Sequence, residues 1–392
     1  MDEPAKAHGL DGSLVKPDWP PLTLNEVRAL LAKMPVAGDP IEIVSFSPRP
    51  FSAASVVRTR QGRIFVKRHA RSVRDAEGLI EEHRFMQHLR ANGVEVPRIF
   101  ATSSGNTAIE TGDWTYEVHE IPSGLDMYED AISWTSFRSL DHARSAGQML
   151  ACLHLAAISY NAPPRKARPL VASFTIFASQ DPQNALEQYL AAHPVLDQDA
   201  QTCRDCFDAL DLLAPFHAEI KLLLPSLRPL WTHNDLHASN LFWSDASPRA
   251  HATSVIDFGL ADRTNAICDI AQAIERNIVE WLVLIRDPDH GDEVPAHLDH
   301  LWAMLDGYEE RRRLSHTEAA ALAPMLALCH AEFALTEADY FLGVLQSPEK
   351  ARVATRDYLV GHAQWFRGPG RLKIIEPLRQ WAETRQTRAV SA

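Results

Sequence analysis

Three polar residues in two neighbouring stretches have the types and spacing needed to bind a metal ion and to orient a hydroxyl group. Asp235 lies five residues before Asn240, and Asp257 follows a short apolar run and opens an Asp-Phe-Gly triplet. Carboxylate and amide oxygens bind hard cations such as Mg²⁺, and a carboxylate beside them can accept the proton of a reacting hydroxyl. The ordered set therefore indicates phosphoryl transfer, a reaction that depends mainly on positioning and on charge neutralisation.

Within this set we assign Asp235 as the catalytic carboxylate and Asn240 and Asp257 as the metal ligands. Each of them alone could be an ordinary turn or surface-loop residue, because Asp and Asn are common in turns. Their order along the chain, with short apolar runs between them, favours a shared role.

Three further residues flank the set. An imidazole two residues before the catalytic Asp, as at His233, is predicted to brace the loop backbone rather than to move protons. His237 either contacts substrate or phosphate or is simply a packed or solvated histidine. Asp269 starts a helical pattern, where it would either cap the helix or accept hydrogen bonds from the catalytic loop. Both roles of Asp269 are structural.

A lysine suited to binding phosphate ends the apolar run at residues 64–67. From such a strand end Lys67 can reach the α- and β-phosphates of a nucleotide, provided that a carboxylate holds it. Glu81 and Glu82 lie in the following helical pattern. We predict Glu82 as the partner because apolar residues at +3, +4 and +7 place it beside the buried stripe.

The segment between Phe46 and Val57 contains no glycine, although it occupies the place of a nucleotide-binding loop. Its small residues would still allow backbone to approach phosphate, and Ser52 or Ser55 could donate a hydroxyl. The alternative is an ordinary tight turn.

Selection of the acceptor is expected from one helix of the C-terminal half. His330 and Glu332 could contact substrate and, together with Glu337 and Asp339, form an acidic face for an amine. The alternative is a solvated charged face.

The predicted site residues lie in two regions of different secondary structure. Short strands dominate from 41 to 121, at 41–46, 55–59, 63–67, 107–110 and 115–120, and one helix over 74–91 interrupts them. From 122 onward the pattern is mainly helical, except around 231–259. We therefore predict an α+β, bilobal protein with a small β-rich lobe at 40–121 and a larger helical lobe at 122–392. Residues 1–39 form a loose tail and a first helix, which a capping box at Thr23 and Glu26 starts.

The bulk composition limits the function. The 392 residues are 46% hydrophobic, enough for a sizeable core, and the net charge of −12 argues against nucleic-acid and anionic-membrane partners. The longest apolar run considered, 278–285, is too short to span a bilayer. Five scattered cysteines suit the cytoplasm, and the Cys203 and Cys206 pair fits a helix face better than a zinc or redox site.

The motifs resemble those of the aminoglycoside phosphotransferase and choline kinase-like family of small-molecule kinases, over roughly residues 40–345. The family pattern H-G-D-x-x-x-x-N is matched by the stretch at 233–240, with Asn234 in place of the usual glycine. Its I-D-F/W and D-L-A motifs are similar to the stretches at 256–258 and 269–271. Its G-x-x-L-A-x-L-H is similar to 147–154, and Asp306-Gly307-Tyr308 is similar to the branch with homoserine kinase-like and hydroxylysine kinase-like enzymes.

The resemblance implies a protein kinase-like fold, ATP and Mg²⁺ as cofactors, and transfer to a hydroxyl of a small molecule. It also implies that backbone groups of His119, Glu120 and Ile121 meet the adenine. The expected acceptor carries an amine: a hydroxy amino acid, amino alcohol, amino sugar or aminoglycoside. We expect a monomer or homodimer.

Two alternatives use the same motifs. One is a Ser/Thr protein kinase, which the short segment after Asp257 disfavours because it leaves little room for an activation segment. The other is a non-catalytic nucleotide-binding scaffold, which the complete set of polar residues disfavours.

Overall fold

The computed structural model describes residues 17–47, 49–131, 134–166, 168–171, 173–286 and 288–390. Most of the tail expected at the N-terminus, residues 1–16, lies outside them. The first helix, α1 (Leu24–Leu31), begins where the sequence predicts. Thr23 and Glu26 form the expected capping box, each side chain bonding the other's backbone amide.

The N-terminal part is an antiparallel sheet with one inserted helix, as predicted. The five strands are arranged in the order β1-β2-β3-β5-β4. They are β1 (Pro40–Phe46), β2 (Ala53–Thr59), β3 (Arg63–Ala70), β4 (Ile109–Thr111) and β5 (Trp114–Glu120).

The inserted helix, α2 (Ala76–Ala91), has clear boundary signals. The side chain of Asp75 accepts the amide of Gly78 at its start, and Asn92 caps its end. Gly93 then adopts φ +85°, a left-handed conformation that glycine takes without steric cost. The apolar stripe read from the sequence, including Phe85 and Leu89, is fully buried.

The remainder is mainly helical. Its helices are α3 (Leu140–Ala157), α4 (Pro182–Ala192), α5 (Pro194–Asp197), α6 (Ala200–Ile220), α7 (Ala266–Ile278), α8 (Trp281–Arg286), α9 (Leu298–Glu309), α10 (His316–Leu328), α11 (Ala331–Asp339), α12 (Pro348–Arg352), α13 (Gly361–Arg367) and α14 (Glu376–Val390). Segments of wider π-helical winding, such as Tyr340–Val344, join some of them.

Several helices differ from the expectation. The helix predicted at 269–285 is divided into α7 and α8, since Val279 leaves the helical conformation. The long helix predicted after the capping box at Ser315 is divided near Cys329 into α10 and α11. Helix α4 was not predicted. Helix α6 continues through Pro215 without a break and carries Cys203 and Cys206, and all five cysteines are free.

Two short ribbons interrupt the helices and support the polar set. Strand β6 (Pro229–Thr232) pairs with β9 (Asp262–Asn265), and β7 (Leu241–Trp243) pairs with β8 (Ala252–Val255). The catalytic loop therefore runs from β6 to β7, and Asp257 lies between β8 and β9. One stretch, His316–Val344, is long and apolar enough to cross a membrane, but 94% of its apolar window is buried within the protein.

Candidate active site

The backbone of the catalytic loop is fixed by Asp269 on α7. Its carboxylate accepts the amides of His233 at 2.9 Å and Asn234 at 2.8 Å, and a bond from His154 Nε2 at 2.9 Å. Burial would raise the pKa of Asp269, but these donors hold it below the usual value. Of the two roles considered for Asp269, the contact with the loop is the one observed, because Asn265 caps α7.

Asn234, which replaces the glycine of the family motif, adopts the left-handed conformation with φ +62°. Asn tolerates this region better than most residues. Its Oδ1 accepts the hydroxyl of Thr232 at 2.7 Å, and its Nδ2 donates to Leu260 O at 3.1 Å. The side chain thus ties the catalytic loop to the segment that follows Asp257.

His233 braces the loop, as the sequence predicts. Its Nε2 lies 2.9 Å from Ile256 O, and its Nδ1 lies 3.2 Å from the amide of Asp235. A neutral ring that donates from Nε2 and accepts at Nδ1 satisfies both bonds. Both ring nitrogens are therefore used in holding backbone.

Asp235 lies in the cleft between the sheet and the helical part. Its Oδ1 is 3.2 Å from Arg276 Nε, and its Oδ2 is 3.3 Å from Asn240 Nδ2. Burial raises the pKa of Asp235 to about 6, while the nearby Arg276 and His233 act in the opposite direction. The carboxylate is therefore ionised at neutral pH and close to its titration range.

Asp257 and Lys67 face each other across the same cleft. Lys67 Nζ is 3.1 Å from Asp257 Oδ1, and Asp257 adopts φ +59°. Loss of solvent around the carboxylate would raise the pKa of Asp257, but the positive charge of Lys67 holds this pKa well below the usual range. A permanently ionised, 41% exposed carboxylate is thereby directed into the cleft.

Glu82 does not pair with Lys67, so this part of the prediction is wrong. Glu82 Oε1 instead lies 3.1 Å from Arg74 Nε and 2.6 Å from Arg165 Nη2. Both arginines also donate to Gly259 O at 2.9 Å. Glu82 therefore links α2 to the Asp-Phe-Gly segment through two buried arginines, which no local pattern indicates.

The glycine-free loop contributes to the cleft through Arg49 and Ser52. Arg49 Nη2 donates to Ser239 Oγ at 2.7 Å, which joins this loop to the catalytic loop. Ser52 is buried and lines the cleft. Ser55 is buried within β2, is not among the cleft-lining residues, and its Oγ has no hydrogen-bond partner among the described residues. Position 48 lies outside the described residues.

His119, Glu120 and Ile121 lie at the end of β5, where the sheet meets the helical part. Among the described residues they do not line the cleft around Asp235. The amide of Glu120 donates to Arg98 O at 2.8 Å. A contact of this segment with adenine remains a prediction.

His330 and Glu332 do not reach the cleft, which contradicts their prediction as substrate contacts. His330 is buried against Leu359 O at 3.2 Å, and Glu332 accepts the backbone amide of Ile176 at 2.6 Å. Their helix is not a solvated face either, because the four polar residues expected there are at most 7% exposed. Glu337 alone of these four lines the cleft.

The cleft also contains residues that sequence reasoning missed. The guanidinium of Arg276 packs 5.2 Å from the Trp134 ring and 4.4 Å from the Phe333 ring. A signal was available for Arg276, since it follows Asp269 by seven residues and so shares its helix face. Nothing local marks Trp134 or Phe333.

One continuous cleft brings most of the predicted residues together. His237 is among them, buried, with Nδ1 2.7 Å from Ser239 Oγ and Nε2 3.7 Å from Asp235 Oδ2. The polar residues that line the cleft are Arg49, Ser52, Lys67, His69, Arg74, Asp235, His237, Asn240, Asp257, Arg276 and Glu337.

The comparison with known families agrees with this geometry. The model of the phosphotransferase enzyme family matches residues 50–314, which is more than half of the chain. The chain belongs to the phosphotransferase enzyme family. It is therefore an enzyme of phosphoryl transfer, as the motifs predict. The sequence has no significant match among curated proteins.

Solved structures show the same kinase-like fold. An aminoglycoside phosphotransferase from Alicyclobacillus acidocaldarius is 18% identical, with TM-score 0.52 and coverage of 93% of this chain and 98% of the other. A microcompartment-associated aminopropanol kinase is 18% identical, with TM-score 0.58 and coverages of 88% and 97%. An amicoumacin kinase in complex with AMP-PNP and Ca²⁺ is 13% identical, with TM-score 0.54 and coverages of 87% and 93%.

The phosphotransferase has an oxygen donor set that fits a hard divalent cation. Asn240 Nδ2 donates to Asp235 O at 2.8 Å, so the amide oxygen of Asn240 is the atom that would face a bound cation. Asp257 supplies an ionised carboxylate, and Ile256 N donates to Asn240 O at 2.9 Å, which holds the two segments side by side. Carboxylate and amide oxygens are ligands that Mg²⁺ and Ca²⁺ accept.

Proposed function

We propose that this phosphotransferase transfers the γ-phosphate of ATP, with Mg²⁺, to a hydroxyl of a small amino-bearing acceptor. A hydroxy amino acid, amino alcohol, amino sugar or aminoglycoside would satisfy this description. The observation that carries the proposal is that Asp235 and Glu337 line the same cleft as Lys67 and Asp257. In the proposed function, Asp235 serves the acceptor hydroxyl and Glu337 serves its amine. Lys67 and Asp257 carry the charges suited to phosphate and to the metal ion.

Asp235 is placed to handle the acceptor hydroxyl. It would accept a hydrogen bond from that group, orient it and take its proton. Arg276 holds one carboxylate oxygen and Asn240 the other, so the side chain is oriented before substrate arrives. This arrangement lowers the cost of positioning, which dominates catalysis of phosphoryl transfer.

The cofactor side of the cleft is built from opposite charges. Asn240 and Asp257 would hold Mg²⁺, which bridges phosphate oxygens and neutralises their charge when bound. Lys67 and Arg49 add positive charge for the phosphates, since both line the cleft. In the protein alone, Asp257 partners Lys67 directly.

The amine of the acceptor has a candidate partner in Glu337. Burial raises the pKa of Glu337 to about 8 although the nearby Arg276 acts in the opposite direction, so its carboxyl is mostly protonated at neutral pH before an acceptor binds. An incoming ammonium would favour the ionised form. Trp134 and Phe333 line the same cleft, and their rings already pack against the guanidinium of Arg276. Two of the structural neighbours are, by name, an aminoglycoside phosphotransferase and an aminopropanol kinase.

The segment after Asp257 supports a small acceptor rather than a protein. Strand β9 starts at Asp262 and α7 at Ala266, so the chain enters the core within a few residues. In protein kinases this region carries the activation segment. A protein substrate would need such a platform.

The test is a screen of ATP consumption over hydroxylated amines, each paired with its N-acetylated form. We expect turnover with at least one free amine and a KM raised at least tenfold for its N-acetyl partner. The Glu337→Gln variant should lose most of that discrimination while retaining kcat. Equal use of both forms would contradict the amine assignment, and absence of turnover with any acceptor would favour a scaffold.

A further inference from the structure

A group of three imidazoles surrounds one buried carboxylate in the N-terminal sheet. Glu117 on β5 accepts His69 Nε2 at 2.9 Å on Oε1, and His83 Nε2 and His119 Nε2 at 2.8 Å each on Oε2. We call these four residues the histidine cluster. It has no part in the transfer chemistry described above, although His69 also lines the cleft.

The cluster joins three elements of the N-terminal part. Glu117 and His119 are two residues apart on β5 and therefore project from the same face of the sheet. His69 comes from the neighbouring strand β3, and His83 comes from α2. The histidine cluster therefore connects β3, which carries Lys67, to α2, which carries Glu82.

Three of the atoms are arranged as ligands of a metal ion would be. His83 Nε2, His119 Nε2 and a Glu117 oxygen all lie within 4.8 Å of one another. Zn²⁺ binds imidazole nitrogen and carboxylate oxygen at about 2.0–2.2 Å, so tetrahedral ligands stand roughly 3.3 Å apart. The observed separations between the nitrogens and the Glu117 oxygen are hydrogen bonds of 2.8 Å, so the three side chains would have to move apart by about 0.5 Å to hold the ion.

The supporting contacts also have the form found around metal sites. His83 Nδ1 is 2.8 Å from Thr107 Oγ1, a bond that orients the ring and leaves Nε2 as the ligand atom. His69 bonds the second oxygen of Glu117 and so orients the carboxylate. Such second-shell bonds are typical of ligating histidines and carboxylates.

The cluster is shielded from solvent but remains accessible from one side. The side chains of His83 and Glu117 are 1% and 3% exposed, whereas that of His119 is 15% exposed. An ion at this position would have three protein ligands, and the partly exposed side of His119 is where a water would complete its coordination. This is the composition of an open site.

We propose that His83, Glu117 and His119 bind a divalent transition-metal ion, best matched by Zn²⁺, with His69 as the residue that positions Glu117. Imidazole nitrogen suits Zn²⁺, whereas Mg²⁺ prefers oxygen ligands. The site is therefore separate from the Mg²⁺ site at Asn240 and Asp257, and it would fasten α2 to β5.

The first experiment measures metal binding by the full-length protein. After treatment with a chelator, the protein is titrated with Co²⁺ as a spectroscopic probe for Zn²⁺, in millimolar Mg²⁺ that fills oxygen-ligand sites. We expect about one Co²⁺ per chain with visible absorption bands, displaced by Zn²⁺. Binding of well under one equivalent in the wild-type protein would overturn the proposal, and this readout does not depend on activity.

Variants then locate the site. His119→Gln, a substitution at the partly exposed ligand, should weaken binding by more than the roughly 10–100-fold that loss of a second-shell group costs. The matched control is His297→Gln with His300→Gln, since these residues and Asp299 form another, more exposed group of possible ligands. Retention of binding in His119→Gln, or its loss in the control alone, would also overturn the proposal. A His83→Gln variant tests the second imidazole ligand in the same way. If that variant does not fold, Co²⁺ binding by His119→Gln and by the wild-type protein still tests the proposal.

Discussion

At the scale of single residues, Asp235 and Asn234 show how the catalytic loop is tuned. Burial moves the pKa of Asp235 to about 6, while Arg276 and Asn240 orient its oxygens. Asn234 adopts a backbone conformation that most residues resist, and its side chain joins the loop to Leu260. Under the proposed function, the acceptor hydroxyl would bind beside the carboxylate that these contacts orient.

Replacement of Asn234 separates the backbone contribution from that of the side chain. Asn234→Ala should lower the free energy of unfolding by about 2–3 kcal/mol, because left-handed φ costs an alanine about 1–2 kcal/mol and buried hydrogen bonds are lost. Asn234→Gly should be about 1 kcal/mol more stable than the alanine variant, since glycine accepts this conformation. Urea denaturation measures both. An alanine variant as stable as the wild type would contradict this account.

Some of these residues could be found from the sequence, and others could not. Asp235, Asn240 and Asp257 lie within one short stretch, so their spacing alone predicts a shared site. Arg49 and Trp134 reach the cleft only because distant segments meet there, and no local pattern marks them. Ser52 and Ser55 are only three positions apart, yet Ser52 lines the cleft and Ser55 does not. The local sequence does not distinguish between them.

At the scale of elements, α2 is joined to the Asp-Phe-Gly segment by ion pairs rather than by Lys67. Glu82 lies between Arg74 and Arg165, and both arginines contact Gly259 O. The arginine at 165 is 83 positions from Glu82, which is why helix facing alone led to the wrong partner. Periodicity correctly placed Glu82 beside the buried stripe and Glu81 further round, since their side chains are 7% and 21% exposed.

Loss of the Glu82 carboxylate should destabilise the protein strongly. Glu82→Gln leaves the buried Arg74 without its counter-charge and leaves Arg165 with only the longer, 3.6 Å contact to Glu81. Breaking a buried pair typically costs about 3–5 kcal/mol. Thermal or urea unfolding measures the loss.

The neighbouring Glu81 provides the matched control. Its side chain is 21% exposed and its contacts with Arg165 and Arg168 are 3.6 and 3.5 Å long. Partly exposed pairs contribute at most about 1 kcal/mol, so Glu81→Gln should change stability little. Equal effects of the two variants would contradict the assigned role of Glu82.

At the scale of the whole molecule, the cleft lies between the N-terminal sheet and the helical part. The chain passes from one to the other after β5. The sheet with one inserted helix, and the helical remainder, were predictable from periodicity and turn residues. The division of the long apolar helix at Cys329 was not, because α10 carries almost no periodic signal and α11 is buried all round, including its polar residues.

Binding of nucleotide and metal in this cleft should stabilise the whole protein. At ligand concentrations about 100-fold above Kd, the stabilisation is about 2.7 kcal/mol, which a thermal-shift assay detects. Asp257→Asn should lose most of the shift with ATP and Mg²⁺. Asp306→Asn, an exposed acid paired only loosely with Arg144 at 3.5 Å, should retain it. A full shift in Asp257→Asn would contradict the metal assignment.

The central claim is that Asp235 orients the acceptor hydroxyl and takes its proton. General-base catalysis contributes about 10²–10⁴-fold, so Asp235→Asn should lower kcat by that factor with little change in the KM for ATP. In the wild type, kcat/KM should fall tenfold per pH unit below about pH 6, because the protonated carboxyl cannot accept the proton.

The most direct test is therefore kcat of Asp235→Asn beside the wild type, measured with an accepted hydroxylated amine and with product followed by ³¹P NMR. The account predicts at least a hundredfold loss of phosphate-ester formation in a variant that still binds ATP. Turnover within about tenfold of the wild type would contradict it.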